Sequence, residues 1–184
     1  MKELEATFLE VDVPNLEKKL ESLGAKKLWD QTFDELIFDK PDRSWNPIQK
    51  RIRVRKSRDK VEVAYKETKS EGIDGTDEIE ITVDDFDKAR LFLEKLGFVV
   101  VRQQQKRRIR YELGGASCDI DFWPRIPAYL EIEADSEDRV RKTAEELGFD
   151  WKKAVFLDAK EIYQQIYGVK NIDYMKFLTF ERYE

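Results

Sequence analysis

Three segments of this chain share one pattern, in which two acidic residues flank one apolar residue and a helix-like run ending in Leu-Gly follows. The acidic pairs are Glu3 and Glu5, Glu78 and Glu80, and Glu131 and Glu133. Because successive side chains of a β-strand lie on opposite faces, the two carboxylates of each pair share one face and the apolar residue lies on the other. A helix covers apolar surface, so we expect the three helices to pack on Leu4, Ile79 and Ile132. The pattern therefore predicts three carboxylate pairs on the sheet face that lies away from the helices.

The alternation of apolar and polar residues along the chain predicts an α+β fold with eight strands. These strands lie at roughly 3–9, 29–39, 50–57, 60–67, 76–83, 98–112, 117–123 and 128–134. Short connections at 58–60 and 113–116 are typical of hairpins, so the sheet is expected to be mostly antiparallel. At 184 residues the chain is expected to form a single domain, 1–184. Its aromatic tail, 169–184, is expected to cover apolar surface or to support a homodimer.

Helices are predicted where apolar residues recur every three or four positions and a glycine follows. The first helix should end at Gly24, the second at Gly97 and the third at Gly148. The second helix is expected to bury Phe86, Ala89, Leu93 and Leu96. A fourth helix is predicted at 158–167, with Asp158 as its N-terminal cap.

The composition excludes several classes of function. The chain has no histidine, which excludes Ser-His and Cys-His catalysis and histidine-ligated zinc. Its single cysteine, Cys118, excludes an internal disulfide and is expected to be a buried apolar side chain in a reducing compartment. The net charge of −5 lacks the basic excess that is typical of nucleic-acid-binding proteins. With no apolar stretch of membrane-spanning length and no signal-peptide core, the protein is expected to be cytoplasmic, with neither nucleic acid nor membrane as a partner.

Several of the remaining strands carry bases in the same alternation as the acids. The basic residues of this pattern are Arg51, Arg53, Arg55, Lys66, Lys106, Arg108 and Arg110, and a further acidic pair is Asp119 and Asp121. If every apolar strand face is turned towards helices or core, the opposite face collects eight carboxylates and seven bases. A sheet with one solvated face is the simpler alternative, because it also alternates polar and apolar residues. The segregation of acids and bases onto different strands argues against that alternative.

A face with so many charges predicts a wet cavity that holds an ionic ligand. Burying an isolated charge costs on the order of tens of kcal/mol in a dry medium, and pairing does not offset that cost for about fifteen charges. Arginines spaced along strands match phosphate oxygens, and carboxylate pairs suit Mg²⁺ or Mn²⁺, which take oxygen ligands. Together the two residue types indicate a site for a metal–polyphosphate complex.

The ordered set of motifs resembles the CYTH superfamily, which includes class IV adenylate cyclases, thiamine triphosphatase and inorganic triphosphatases. The resemblance runs from the N-terminus to about residue 168, and the ordered set of motifs is specific whereas each motif by itself is weak. The set consists of Glu3 and Glu5, the R-x-R strand of Arg51, Arg53 and Arg55, Lys66, Glu78 and Glu80, the K-x-R of Lys106 and Arg108, Asp119 and Asp121, and the LEIE segment that ends at Glu133. It implies an eight-stranded antiparallel β tunnel or barrel with a charged interior, flanked by helices.

The resemblance also implies roles for the charged residues. The catalytic acids that hold one or two Mg²⁺ or Mn²⁺ ions would be Glu3, Glu5, Glu131 and Glu133, with Asp119 or Asp121 as a further ligand. The residues that bind the triphosphate would be Arg51, Arg53, Arg55, Lys66, Lys106, Arg108 and Arg110. Glu78 and Glu80 would belong to the same binding site, where they orient the arginines or a metal-bound water.

The implied function is metal-dependent hydrolysis of a triphosphate, either inorganic triphosphate or a nucleoside or thiamine triphosphate. One alternative is a class IV adenylate cyclase that converts ATP to cyclic AMP and pyrophosphate. Another is a non-catalytic protein that binds polyphosphate or a nucleotide. One departure bears on this choice, because the family opens with E-x-E-x-K and this chain has Thr7 at the lysine position. Thr7 is consistent with a harmless loss, a change of substrate or a loss of activity.

Overall fold

The structure is a computed structural model that describes residues 4–68 and 76–184. The predicted site residue Glu3 therefore lies outside the described residues. The chain divides into two compact units. Unit 1 comprises Met1–Gln31 and Arg107–Val169, and unit 2 comprises Thr32–Lys106 and Lys170–Glu184.

The predicted α+β fold with eight long, mainly antiparallel strands is confirmed. The strands are β1 (Leu4–Phe8), β2 (Lys26–Asp39), β3 (Lys50–Lys56), β4 (Val61–Thr68), β5 (Thr76–Val83), β6 (Val99–Leu113), β7 (Ala116–Phe122) and β8 (Tyr129–Ala134), with a short β9 (Phe177–Leu178). The helices are α1 (Val13–Ser22), α2 (Phe86–Lys95), α3 (Glu137–Leu147) and α4 (Ala159–Glu161). No helix among the described residues is both long and apolar enough to cross a membrane. Closure of the strands into a tunnel and a single-domain organisation stay predictions.

Unit 1 is an antiparallel sheet in the order β1-β8-β7-β6, with the first part of β2 beside the last part of β6. Helix α1 begins at Asp12, whose carboxylate accepts a hydrogen bond from the backbone N–H of Asn15, and α3 ends where Gly148 takes a φ of 90°. Both helices pack on the apolar face of the sheet, where Ile132 is fully buried and Leu4 lies at the edge of the core. The expected helix cover over these two residues is confirmed.

Unit 2 is an antiparallel sheet in the order β2-β3-β4-β5, with the first part of β6 beside β2 and the parallel strand β9 beside β6. Helix α2 buries Leu93 against Ile52 and Val54 of β3. The expectation that this helix covers Ile79 is wrong, because Ile79 is 67% exposed. A helix is about 10 Å wide and covers roughly two strands spaced ~4.8 Å apart, so one that lies over β3 leaves β5 uncovered. Leu96 was also expected to be buried, and it is exposed at the C-terminal end of the helix.

The predicted fourth helix begins as expected and then changes geometry. The Asp158 side chain accepts a hydrogen bond from the backbone N–H of Glu161, whose own side chain accepts one from the backbone N–H of Asp158. The following turn, Ile162–Ile166, is π-helical; it buries Ile162 and leaves Ile166 exposed. Beyond it, the tail buries Ile172 and Leu178, so it covers apolar surface as predicted, whereas the homodimer stays a prediction.

Candidate functional site

The bases of unit 2 gather on one face of strands β3 and β4. The pairing register places Arg51 of β3 opposite Lys66 of β4, which in turn lies opposite Glu78 of β5. Arg53 lies opposite Ala64, which is buried and small, and Ala64 lies opposite Glu80. A small residue between them lets the Arg53 side chain extend across β4 towards β5. The predicted triphosphate-binding residues Arg51, Arg53, Arg55 and Lys66 are therefore brought together with Glu78 and Glu80.

The contacts of Arg53 with these two acids are long. Its Nη2 lies 3.4 Å from Glu78 Oε1 and 3.5 Å from Glu80 Oε2, whereas Lys66 Nζ lies 2.7 Å from Glu78 Oε2. Ion-paired hydrogen bonds are usually about 2.7–2.9 Å, so the Arg53 guanidinium is only loosely held from this side.

Two bases at the centre of this face, Arg53 and Lys66, are disfavoured as charged groups. Burial lowers the pKa of Lys66, and repulsion from Arg53 lowers it further. Burial also lowers the pKa of Arg53, with Glu35 opposing that effect and Arg55 adding to it. Each cation is thus less stable as a charged group here than in water, and an anion that binds between them would relieve the repulsion.

Glu62 is a charged residue of this face that the sequence analysis missed. Its Oε2 accepts hydrogen bonds from Arg55 Nε at 2.9 Å and Nη2 at 2.6 Å, and Lys60 also pairs with it. Burial works to raise the pKa of Glu62, but the bonds from Lys60 and Arg55 outweigh it and lower the pKa to about 2. Burial and the neighbouring Glu62 carboxylate raise the pKa of Glu80. The alternation of β4 carried the signal, because Glu62 has the same parity as Lys66.

Glu35 and Gln104 form a second contact that sequence reasoning missed. Glu35 lies on β2 opposite Arg55 and is only 2% exposed. Its Oε2 accepts a hydrogen bond from Gln104 Nε2 at 2.5 Å, whereas no donor among residues 4–68 and 76–184 reaches its buried Oε1. Nothing local in the sequence pairs these residues, because they are 69 positions apart.

The charged face of unit 1 is a network of short ion pairs. Arg108 contacts Asp121 twice, Nε to Oδ1 and Nη2 to Oδ2, each at 2.5 Å, and it also pairs with Asp119 and Glu131. Arg110 contacts Asp119 twice, at 2.7 and 2.5 Å. Burial disfavours the charge of Arg108, but the surrounding carboxylates, Asp121 first, outweigh that effect and raise its pKa. The predicted phosphate ligands Arg108 and Arg110 are thus already neutralised by acids of their own unit.

The predicted metal ligands of unit 1 fall into two groups. Glu5 and Glu133 are cross-strand partners on β1 and β8, and Glu131 lies opposite Thr7. Asp119 and Asp121 are instead engaged by Arg108 and Arg110, and Arg108 also pairs with Glu131. Within the described part of the chain, no group of three acids is arranged to hold a metal ion. Glu5, Glu131 and Glu133 fit Mg²⁺ or Mn²⁺ by the chemistry of their oxygen donors and not by their arrangement, so the metal site stays a prediction.

Lys106 and Thr7 are two further positions that the sequence singled out. Lys106 is the last residue of the first segment of unit 2, and its side chain is half-buried on β6. Thr7 is 3% exposed, and its backbone exchanges two hydrogen bonds with Val155, at 3.0 and 2.9 Å. The position where the family has a lysine is therefore covered in this chain.

Comparison with known proteins decides the family. The CYTH domain model matches residues 1–167, which span the acidic strands of unit 1 and the basic strands of unit 2. The chain belongs to the CYTH family. The resemblance seen in the sequence motifs is thereby confirmed.

Three proteins illustrate what this CYTH chain is similar to. A candidate adenylate cyclase of Methanocaldococcus jannaschii is 29% identical over 122 residues, which cover 66% of this chain and 70% of that protein. A candidate adenylate cyclase structure from Vibrio parahaemolyticus has a TM-score of 0.74 at 16% identity and covers 89% of this chain and 98% of its own. A Hippeastrum structure, described as a candidate adenylyl cyclase with a dominant triphosphatase activity, has a TM-score of 0.64 at 15% identity, with 89% and 95% coverage. The two structures share the fold of this chain.

Proposed function

We propose that this CYTH protein is a metal-dependent triphosphatase. The observation that carries the proposal is the row of bases that the pairing of β3 with β4 gathers on one face of unit 2, where burial and repulsion between neighbouring bases disfavour the charges of Arg53 and Lys66. Arg51, Arg53 and Arg55 extend along β3 over about 13 Å, at ~3.3 Å per residue. A row of that length fits an extended polyanion better than a single phosphate.

The chain's own residues would bind and orient the substrate. Arg51, Arg53 and Lys66 donate hydrogen bonds to phosphate oxygens, and Arg53 exchanges its long contacts with Glu78 and Glu80 for shorter ones to the ligand. Catalysis then rests on positioning and charge neutralisation, which need no histidine.

In unit 1, Glu5, Glu131 and Glu133 are the residues that would hold Mg²⁺ or Mn²⁺. A bound divalent cation supplies charge neutralisation and a water of lowered pKa. In hydrolysis, water adds to the terminal phosphorus, the bridging P–O bond breaks, and orthophosphate and the shortened phosphate chain leave. Hydrolysis needs neither a base pocket nor an ordered ribose, and for that reason we favour it.

The second candidate is a class IV adenylate cyclase. The name of the Methanocaldococcus relative favours it, and the same bases would hold ATP. In that reaction the ribose 3′-hydroxyl attacks the α-phosphorus and pyrophosphate leaves. A non-catalytic polyphosphate sensor is the third candidate, because Thr7 replaces the family's lysine.

One assay separates the three candidates. The purified protein is incubated with ATP or inorganic triphosphate and with Mg²⁺ or Mn²⁺, and the products are resolved. Orthophosphate release supports the triphosphatase, cyclic AMP with pyrophosphate supports the cyclase, and binding without turnover supports the sensor. Arg53→Ala should lower the signal at least tenfold at substrate concentrations below saturation, whereas Arg90→Ala, on the exposed side of α2 in an ion pair with Glu94, serves as the matched control. If the protein neither turns over nor binds any of these substrates, the proposal is wrong.

A further inference from the structure

Glu35 is a buried carboxylate that the proposed chemistry does not use. It lies on the charged face of unit 2, since its pairing partner on β3 is Arg55. One oxygen accepts a hydrogen bond from Gln104, and the other is buried with no donor reaching it from the described residues. A buried carboxylate with a free oxygen is destabilising unless a nearby positive charge offsets the cost of burial.

Arg55 faces Glu35 directly, and Arg53, which pairs with Ile37, is the next base along the same face of β3. Among the carboxylates near Arg53, Glu35 opposes the lowering of the arginine's pKa most, ahead of Glu78 and Glu80. The Nε of Arg53 is also buried, with no acceptor in reach within the described ranges. The two side chains therefore attract each other without forming a direct hydrogen bond.

The strand order puts Arg53 between acids that pull in opposite directions. Glu35 lies on β2, next to β3, whereas Glu78 and Glu80 lie on β5, two strands away on the other side. The 3.4 and 3.5 Å contacts of Arg53 with Glu78 and Glu80 are longer than a closed ion pair. An arginine drawn from one side alone would close those distances.

We propose that Glu35 is a positioning residue that holds Arg53 back from Glu78 and Glu80 and so keeps its guanidinium available to the triphosphate. The inference rests on the proposed function, because it assigns a role in the same binding site. Without the Glu35 charge, Arg53 closes onto the β5 carboxylates, and the ligand must then compete with them.

The sign of the affinity change tests this role. Glu35→Gln removes a negative charge near a polyanion, so charge alone predicts tighter binding of inorganic triphosphate. Loss of positioning predicts the opposite, a weakening of about tenfold, the size of one lost charge-assisted contact. The matched control is Glu67→Gln, which removes a carboxylate of β4 that pairs with Lys50 instead of Arg53 and should not weaken binding. Equal or tighter binding by Glu35→Gln, measured by calorimetry with inorganic triphosphate, would overturn the inference.

A rescue variant separates positioning from simple damage to the fold. Combining Glu35→Gln with Glu78→Gln and Glu80→Gln removes the acids that would capture Arg53, so triphosphate affinity should return to within about twofold of the affinity of the Glu78→Gln, Glu80→Gln protein. A persistent tenfold loss in that background would show that Glu35 acts in some other way.

A measurement without ligand keeps the test independent of the proposed function. The coupling between Arg53 and Glu78 is obtained from urea unfolding of Arg53→Met, Glu78→Gln and the double variant, once with Glu35 and once with Glu35→Gln. The coupling between Arg53 and Glu78, expressed as a factor in the unfolding equilibrium constant, should be at least fivefold larger when Glu35 is replaced, because Arg53 then closes onto Glu78. An unchanged coupling would refute the positioning role even if the protein hydrolyses triphosphate. If the coupling is larger but the protein binds no triphosphate, the effect of Glu35 on Arg53 is correct and the proposed function is wrong.

Discussion

Arg108 and Asp121 form a two-pronged ion pair between β6 and β7, with both contacts at 2.5 Å and the Asp121 side chain fully buried. Asp119 is engaged in the same way by Arg110. The resemblance to the family assigned Asp119 or Asp121 to the metal, but in this structure both carboxylates neutralise arginines of the neighbouring strand. Substituting either aspartate should therefore lower the stability of the fold before it affects metal binding.

Asp121→Asn should lower the free energy of unfolding by about 3–5 kcal/mol, because it leaves Arg108 buried with one of its counter-charges removed. Urea unfolding measures this loss. The concentration of Mg²⁺ or Mn²⁺ that gives half-maximal activity should stay within about twofold of the wild-type value, because Asp121 binds Arg108 and not the metal. A large shift in that concentration with little change in stability would restore Asp121 as a metal ligand.

Glu5→Gln and Glu133→Gln should each abolish metal-dependent activity and leave the fold intact. The two carboxylates are cross-strand partners, and like charges placed opposite each other destabilise a sheet. Each amide variant should therefore melt at or above the wild-type temperature in the absence of metal. Mg²⁺ should raise the melting temperature of the wild type and of Glu137→Gln, a control on the exposed face of α3, but not that of the two variants. Near wild-type turnover at saturating metal would rule out the assignment.

Arg53→Ala should weaken binding of inorganic triphosphate at least tenfold, because a charge-assisted contact is worth roughly 1.5–3 kcal/mol. Binding of orthophosphate should change much less, since a single phosphate does not need the whole row of bases. Calorimetric titration with both ligands gives the two ratios. Equal and small losses for the two ligands would place Arg53 outside the binding site.

Thr7→Lys tests the departure from the family's opening motif. We expect an active wild type, with turnover of the variant changed only modestly. Its stability should fall, because Thr7 is buried and the Glu131 carboxylate opposite it already binds Arg108. Thr7→Met, of similar length without the charge, separates the cost of size from the cost of burying an ammonium group. If the wild type is inactive and the Thr7→Lys variant releases phosphate, the chain lost catalysis at this position.

Glu62 should make stability depend on pH in the acid range. Its pKa is about 2 in the folded protein, below the ordinary glutamate value of 4.5, so the ionised form is favoured by folding. The stabilisation is fully present above pH 4.5 and is lost as the pH falls towards 2, when the carboxylate takes up a proton. Glu62→Gln should flatten the slope of unfolding free energy against pH across that window, as measured by urea unfolding at several pH values. An identical slope in the two proteins would show that Arg55 and Lys60 do not hold this carboxylate ionised.

Features that depend on near neighbours could be predicted from the sequence. The strands were predicted to within a few residues because charged and apolar residues alternate in segments such as Arg51–Arg55, and this alternation is typical of a β-strand. The start of the fourth helix at Asp158 and the end of the third helix at Gly148 follow from local hydrogen bonding and from a backbone angle that glycine adopts freely. The same local rule separated the charged from the apolar face of each strand.

The sequence by itself determined which residues share a face, which strands are acidic or basic, and the family to which the chain belongs. Only the tertiary structure decided which acid faces which base. The contact of Glu35 with Gln104 joins residues 69 positions apart, and the pairing of Arg108 with Asp121 depends on the register of β6 against β7. Ile79 is exposed for a similar reason, since the position of α2 over β3 is set by packing with Ile52 and Val54 and not by the sequence of β5. Alternation fixes the face of a side chain, but its partner is fixed by strand order and register, which depend on contacts between distant parts of the chain.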